Sequence, residues 1–519
     1  MEMKVRRSRN TAPHFEKVAG RKVFYDKGWP ALILTVEIPW LGLVHGRYRE
    51  TMDFYDHFYP AAAKMGLTAM KVPVKWAMVE PKGKGQYDFS YLEHAIEKAR
   101  GNGLDLVVGW FGHYASGDGT IYRNMHDELF APEYVIADDG KYPRAVDADG
   151  IAHHNAASYA CGDIVKVETA AFRAFMRHMR KIDGARKTVK MIQVENEIAQ
   201  FGADRRNRKM WRDHRPEADK LFKEWKYKKT GLAELIFTAR LMGEKWLNPL
   251  CKAGREEYPL PQFFNYVSGI LAKGSVGGSP GEDIATHIKT VPMVDFIGRN
   301  LYMQPQRTVT EMRGALREWS VGGNIPAITE TNSGPDPVAP RLAYLSIGEF
   351  GAPIFAPWAL NISYPGSHFP YVLKDGTLAN GAFALRDVYL SLRKAMAHVA
   401  WFACTDKLRV FMSEKPGESF RETSKVGGLK VSVGGAAGGQ GIVIRTGKRE
   451  ILAVGYRITV SLATGMEKWP QLNKIKVSEG FYRDGDKWVP EGSPKYTIDQ
   501  SRKLLRFHLE EPAAVRVRW

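Results

Sequence analysis

At 519 residues the chain is too long for one ordinary domain and fits one large domain with a smaller appendage. Apolar residues make up 44%, enough for a sizeable core, and charged residues an ordinary 25%, which excludes a disordered polyelectrolyte. The net charge of +18, from 75 basic and 57 acidic residues, comes without any zinc-finger or other nucleic-acid motif, so no nucleic-acid partner is expected.

Cys161, Cys251 and Cys404 lie far apart with no CxxC spacing, which excludes a disulfide scaffold and a zinc ribbon. The first thirty residues contain no apolar run of the signal-peptide kind. No stretch approaches the roughly 18 apolar residues of a membrane span. The expectation is a cytoplasmic protein without membrane contact, or a periplasmic or secreted one if a leader precedes residue 1.

Along the chain, short apolar runs alternate with amphipathic helical stretches. Strand one is expected at 31–37 (ALILTVE), a helix at 55–65, strand two at 68–74 (TAMKVPV), a helix at 91–100 and strand three at 105–111 (DLVVGWF). After a long loop come a helix at 167–182 and strand four at 189–197 (VKMIQVENE). Strands five to eight follow at 261–265, 296–302, 325–330 and 353–359, and a helix at 384–398. Apolar strands without clean alternation suit a parallel sheet covered by helices, and eight units close it into a (β/α)₈ barrel.

From about residue 405 the pattern changes to short β-branched segments between Gly-rich turns, among them LRVFMS, GIVIR and AAVRVRW. These predict a small antiparallel, sandwich-like β-domain over 405–519 behind a barrel domain over 1–404. The glycines at 434–441 lack the GK[ST] ending of a phosphate loop and read as a turn.

A barrel of this kind carries its chemistry at the carboxyl ends of its strands. Strand four ends in Gln193-Val194-Glu195-Asn196-Glu197 and strand seven in Thr329-Glu330. Strand one ends at Glu37, strand three at Trp110-Phe111, strand six at Tyr302 and strand eight near Trp358. Two strand-end carboxylates among aromatic side chains suit glycosidic bond cleavage. That reaction needs a proton on the leaving oxygen and negative charge facing an oxocarbenium-like transition state. Period-two alternation puts Glu195 one layer deeper than Glu197, where a structural ion pair is expected. His113, His153 and His154 lack metal-ligand spacing, so neither a metal nor another cofactor is expected.

The segment MIQVENEI resembles the acid/base motif of glycoside hydrolase family 35, the β-galactosidase family, within the clan A barrel glycosidases. The stretch VKWAMVEPKGKGQYDFS, with Trp76 and Glu80, is similar to a strand-two signature of families 35 and 42. WFGHYASG and YPRAVDADG resemble the bacterial branch of family 35. The resemblance covers roughly residues 30–400. It implies a retaining, exo-acting β-glycosidase, with Glu197 as acid/base, Glu330 as nucleophile and Tyr302 donating to Glu330. The chain departs from the branch in having Thr329 before Glu330, in matching strand one only at Glu37, and in reading APWAL at strand eight.

By position, Asn196 is expected to bond the hydroxyl beside the anomeric carbon, Glu37 to read another hydroxyl, and Trp110 and Trp358 to offer flat faces to a pyranose. Trp76 and Glu80 fit either the site or a brace for its loop. The expected partner is an oligosaccharide or glycoside, and a homo-oligomer is compatible with the sequence. Alternatives are a β-glycosidase for another or an acidic sugar, and a carbohydrate-binding barrel without turnover. The acidic-sugar alternative rests on residues 205–229, where eleven Lys/Arg oppose four Asp/Glu.

Overall fold

The computed structural model describes residues 4–39, 52–53, 55–112, 130–197, 212–268, 280–361, 369–462 and 474–519. Apolar and β-branched runs become eight parallel strands, all buried along nearly their whole length in the described residues. These are strand one (Ile33–Leu34), two (Ala69–Lys75), three (Asp105–Phe111), four (Val189–Val194), five (Gln262–Ser268), six (Phe296–Leu301), seven (Ile328–Thr331) and eight (Ile354–Phe355).

Each strand pairs in parallel with its neighbours from two through eight and back to strand one. Bridges from Glu37 to Lys71 and to Trp358 close the ring, reinforced by the Ile38 amide on the Lys71 carbonyl at 2.8 Å. All eight expected strands exist. Strands one and eight are shorter than their apolar runs because only two residues of each form a continuous ladder, the pairing going on as single bridges at Glu37 and Trp358.

Helices between the strands bury one stripe against the sheet. Asp163–Asp183 presents Ile164, Val167, Ala171, Phe172, Phe175 and Met179 at helical spacing, with Phe172 and Phe175 stacked near Trp110 of strand three. Val309–Trp319 begins at a capping box of Thr308 and Glu311. The helix expected at 384–398 divides at Ala395 into Ala382–Lys394 and Met396–Phe402, because Ala395 leaves helical geometry at φ −139°.

Two features have no counterpart in the sequence reading. An N-terminal antiparallel hairpin joins His14–Val18 to Arg21–Asp26, and the long loop after strand three contains a small hairpin of Arg144–Val146 and Ala152–Ala157. Both are short and only partly buried at their ends, so neither makes a long apolar signal.

From Leu408 onward the chain forms a nine-stranded antiparallel sheet, the expected β-domain. Its two faces do different work. Leu408, Val410, Ile442, Ile444, Leu452 and Val454 join the barrel's own core. Phe411, Val431, Val443, Ile451, Val460, Phe507 and Val515 enclose a second core. The long strand Leu429–Gly447 shifts register between Gly435 and Gln440, which lets one sheet wrap around that second core.

Candidate active site

Lys71 is the residue around which the site is built. It sits inside strand two, almost wholly buried, and its ammonium bonds Glu37 Oε2 at 2.5 Å and the Thr329 carbonyl at 3.0 Å. Glu330 Oε1 lies 4.0 Å from the same nitrogen. A buried cation is tolerated only with such partners. Lys71 thereby ties strands one, two and seven together beneath the mouth.

Glu330 is 4% exposed. Tyr302 donates to its Oε2 at 2.8 Å and Asn265 Nδ2 to its Oε1 at 3.3 Å. Burial raises its titration, while Lys71, Tyr302, Asn300 and Asn265 all act to keep it ionised. Glu197 receives a different set of neighbours. Asn300 Nδ2 donates to Glu197 Oε1 at 2.9 Å, and the Glu197 amide donates to Asn265 Oδ1 at 2.6 Å. Burial, then the Glu330 charge, pushes the Glu197 carboxyl up to about 8. Asn300 bonds both carboxyls, so one short amide spans the space between them.

A buried layer of amide and hydroxyl side chains links these groups. Asn265 donates to Asn300 Oδ1 and Asn196 Oδ1, each at 3.0 Å, Thr329 to Asn300 Oδ1 at 2.9 Å, and Gln193 to Asn196 Oδ1 at 2.9 Å. The end of strand four turns sharply: Glu195 and Glu197 both take left-handed backbone, at φ 69° and 47°. Such conformations are uncommon for non-glycine residues and concentrate at functional sites. The turn breaks the alternation assumed from sequence. At Glu195 the side chain turns toward Gly112 at the end of strand three. Its Oε1 accepts the Gly112 amide at 2.8 Å, and its carboxyl meets that of Glu168 from the outer helix Asp163–Asp183.

The structure therefore brings Glu37, Asn196, Glu197, Tyr302 and Glu330 into one network, joined by Trp358 through its bridge to Glu37. Burial, then Glu330, drives Glu37 up to about 8 against the pull of Lys71, and its Oε1 is buried without a bonding partner. Trp110 does not join the network. Its ring faces the helix layer, wholly buried between Phe172 and Phe175, and its Nε1 donates to Glu168 Oε1 at 3.1 Å. Trp76 and Glu80 brace the strand-two loop, with the Trp76 Nε1 and the Tyr134 hydroxyl both on Glu80 Oε2 at 2.8 Å.

The sequence reading missed Lys71, Asn265, Asn300 and Glu168. A signal existed for three of them: a lysine or asparagine within an otherwise apolar parallel strand has no solvent to face and must serve another polar group.

Residues 205–211 of the basic stretch, and His113, lie outside the described residues, as do the side chains of His153 and His154. Within the described part of the stretch, Arg212 is buried over the Phe222 ring and bonds the Asp213 carbonyl and Asp219, while Arg215 bonds the Arg144 carbonyl. Those two cations are engaged in holding the chain together. Among the described residues no group of three or more His, Cys, Asp or Glu could hold a metal, and no helix is long and apolar enough to cross a membrane.

Fold and polar cluster together define a (β/α)₈ barrel with its polar site at the carboxyl face and an antiparallel β-domain behind it. Solved structures share this fold. A GH42 β-galactosidase from G. stearothermophilus, in a catalytic-mutant form, aligns over 71% of this chain and 57% of its own with a TM-score of 0.51 at 12% identity. A β-galactosidase from Rahnella sp. aligns over 77% of this chain and 58% of its own, with a TM-score of 0.50 at 13% identity. This chain thus spans a little more than half the length of either. No family model matches the chain, and no curated protein matches it in sequence.

Proposed function

We propose that the chain is a retaining, exo-acting β-glycosidase, with Glu330 as nucleophile, Glu197 as acid/base, and a β-galactoside as substrate. The observation that carries this reading is the asymmetry of the two carboxyls around Asn300. Glu330 is raised by burial, but it has the Lys71 ammonium at 4.0 Å and the Tyr302 hydroxyl at 2.8 Å, which favour its ionised form; Lys71 acts on Glu197 too, as the last of its causes. Glu197 has burial and a neighbouring negative charge, which favour its protonated form. One acid and one base whose environments push their titrations apart are what double displacement requires. A single amide touching both supports the short spacing of about 5–5.5 Å typical of retaining enzymes.

In this mechanism Glu197 gives its proton to the glycosidic oxygen as that bond breaks. A Glu330 oxygen bonds the anomeric carbon and forms a glycosyl ester. Glu197, now a carboxylate, takes a proton from water, and the hydroxide displaces Glu330 with overall retention. Asn196, its carbonyl held by two donors, keeps its NH₂ to bond the adjacent hydroxyl. Galactose is favoured by the MIQVENEI resemblance, and the two β-galactosidases of the same fold are compatible with it.

The test is a screen of aryl β-glycosides, with the anomer of the first-formed product followed by NMR, in the wild type and in Glu330→Ala. Expected are hydrolysis of β-galactosides with first-formed β-product, and loss of nearly all turnover in the folded variant, partly restored by azide or formate. Folded Glu330→Ala that turns over unaided would overturn the assignment. Turnover confined to other sugars would keep the mechanism and replace the substrate.

A further inference from the structure

Glu37 has no part in the proposed reaction, yet it is built into the site. It is wholly buried, its backbone bridged to Lys71 and to Trp358, with its amide on the Pro357 carbonyl at 3.0 Å. Its Oε2 accepts from the Lys71 ammonium at 2.5 Å. The same ammonium donates to the Thr329 carbonyl at 3.0 Å, and Glu330 Oε1 stands 4.0 Å away. The other oxygen of Glu37, Oε1, is buried without a hydrogen-bond partner, so the carboxyl acts on its surroundings through Oε2 and Lys71. An ammonium has three N–H groups that turn about one bond, and two acceptors decide where they point. Held by Glu37 and Thr329, the ammonium stops short of hydrogen-bond reach of Glu330.

That distance matters chemically. At 4.0 Å the positive charge favours the ionised form of Glu330. Direct contact would add a charge-assisted hydrogen bond, roughly twice as strong as a neutral one. Such a bond stabilises the free carboxylate and is weakened as its oxygen becomes an ester, so it deepens the ground state and slows attack. The useful place for Lys71 is beside the nucleophile without bonding it. We infer that Glu37 is a positioning residue: it tethers Lys71 at this standoff, so that Glu330 has the neighbouring charge and keeps its oxygen free. This inference rests on the reading of Glu330 as nucleophile. The tether asks only for an acceptor atom in a fixed place, which a carboxylate, a carboxylic acid and a carboxamide all supply.

The titratable groups facing Glu330 are Lys71 from strand two, Glu197 at the end of strand four, Tyr302 at the end of strand six and, across Lys71, Glu37 beyond strand one. With the tether cut, Lys71 loses one of its two acceptors, and the carboxylate 4.0 Å away takes its place. A closer ammonium lowers the Glu330 titration. The acid limb of kcat/KM, which follows the ionised nucleophile of the free enzyme, then moves to lower pH.

The test compares Glu37→Leu, which removes the acceptor at similar volume, with Glu37→Gln, which keeps it, each in the wild type and in Lys71→Met. Circular dichroism checks folding, carbon-13 NMR follows the Glu330 carboxyl, and pH–rate profiles on aryl β-glycosides give kcat and KM. Glu37→Leu is expected to lower the Glu330 titration and the acid limb together by about one pH unit. It should also cut kcat by about 30-fold with KM little changed. Glu37→Gln is expected to leave the limb in place and kcat within about threefold. In the Lys71→Met background Glu37→Leu should move neither, because the group it acts through is gone. Glu37→Ala is a second way to cut the tether and is expected to shift the limb as Glu37→Leu does.

The NMR titration needs no turnover, which separates the tether from the catalytic reading. A Glu330 resonance that moves in Glu37→Leu while the acid limb stays would uphold the tether and remove Glu330 as nucleophile. The tether is overturned if the Glu330 resonance stays in place in both Glu37→Leu and Glu37→Ala, or if Glu37→Gln behaves as they do. It is equally overturned if the loss falls on KM and persists in Lys71→Met, the pattern of a residue that reads a sugar hydroxyl directly.

Discussion

Among the individual residues, Lys71 and Glu330 set the electrostatics for the others. Lys71 and Tyr302 both lower the Glu330 titration, so Lys71→Met is expected to move the acid limb of kcat/KM to higher pH. Tyr302→Phe should shift it the same way, by less, since it removes one hydrogen bond and no charge. A pH–rate profile for each variant checks this, and an acid limb that stays put in Lys71→Met would separate Lys71 from Glu330. The reverse coupling gives a second expectation. Glu330 charge raises Glu197, so in Glu330→Gln the Glu197 carboxyl should titrate well below its present value of about 8. Carbon-13 NMR of labelled glutamate reads that directly, and an unmoved Glu197 resonance would show that the two do not interact. Of this site, Glu37, Glu197 and Glu330 were legible because a carboxylate closing an apolar strand stands out. Trp110 misled because an aromatic near the end of a buried strand can face either the mouth or the helix layer. Phe172 and Phe175, far off in sequence, decided that it faces the helices.

At the level of elements, eight apolar runs sufficed to predict the barrel because buried parallel strands have no polar face to confuse their pattern. The turn closing strand four was not legible. Left-handed backbone at Glu195 and Glu197 belongs to no residue-type preference, since glutamate has none for it. It is imposed by contacts with Gly112, Glu168 and Asn265, which come from three other elements. Gly112 is where this can be probed at small volume. A methyl there would press on Glu168 and Glu195 together, so Gly112→Ala should lower kcat by about two orders of magnitude with KM little changed. Far-ultraviolet dichroism should remain that of the wild type. Full activity in Gly112→Ala would mean that the strand-four turn tolerates displacement and does not aim Glu197.

For the molecule as a whole, the β-domain is bound to the barrel by more than adjacency. Val410, Ile442, Leu452 and Val454 continue the barrel core, and Gly348 leaves space for the Val410 and Ile442 side chains between barrel and sheet. Polar bonds reinforce the seam: Arg341, from the helix Val338–Tyr344 after strand seven, reaches the Glu414 carbonyl at 2.7 Å, and Val309 N and Thr310 N bond Glu414 at 3.0 Å. Two units sharing one core should not melt separately, because unfolding either exposes the apolar surface of both. Calorimetry is therefore expected to show one transition for the full chain. Ile442→Ala, which empties part of the shared layer, should cost about 2–5 kcal/mol and lower that single transition. Phe507→Ala removes a side chain from the second core instead, and the same coupling requires that it too lower the one transition that activity loss follows. If Phe507→Ala splits the melt in two, with turnover surviving the first step, the sheet folds on its own and the seam does not make one cooperative unit.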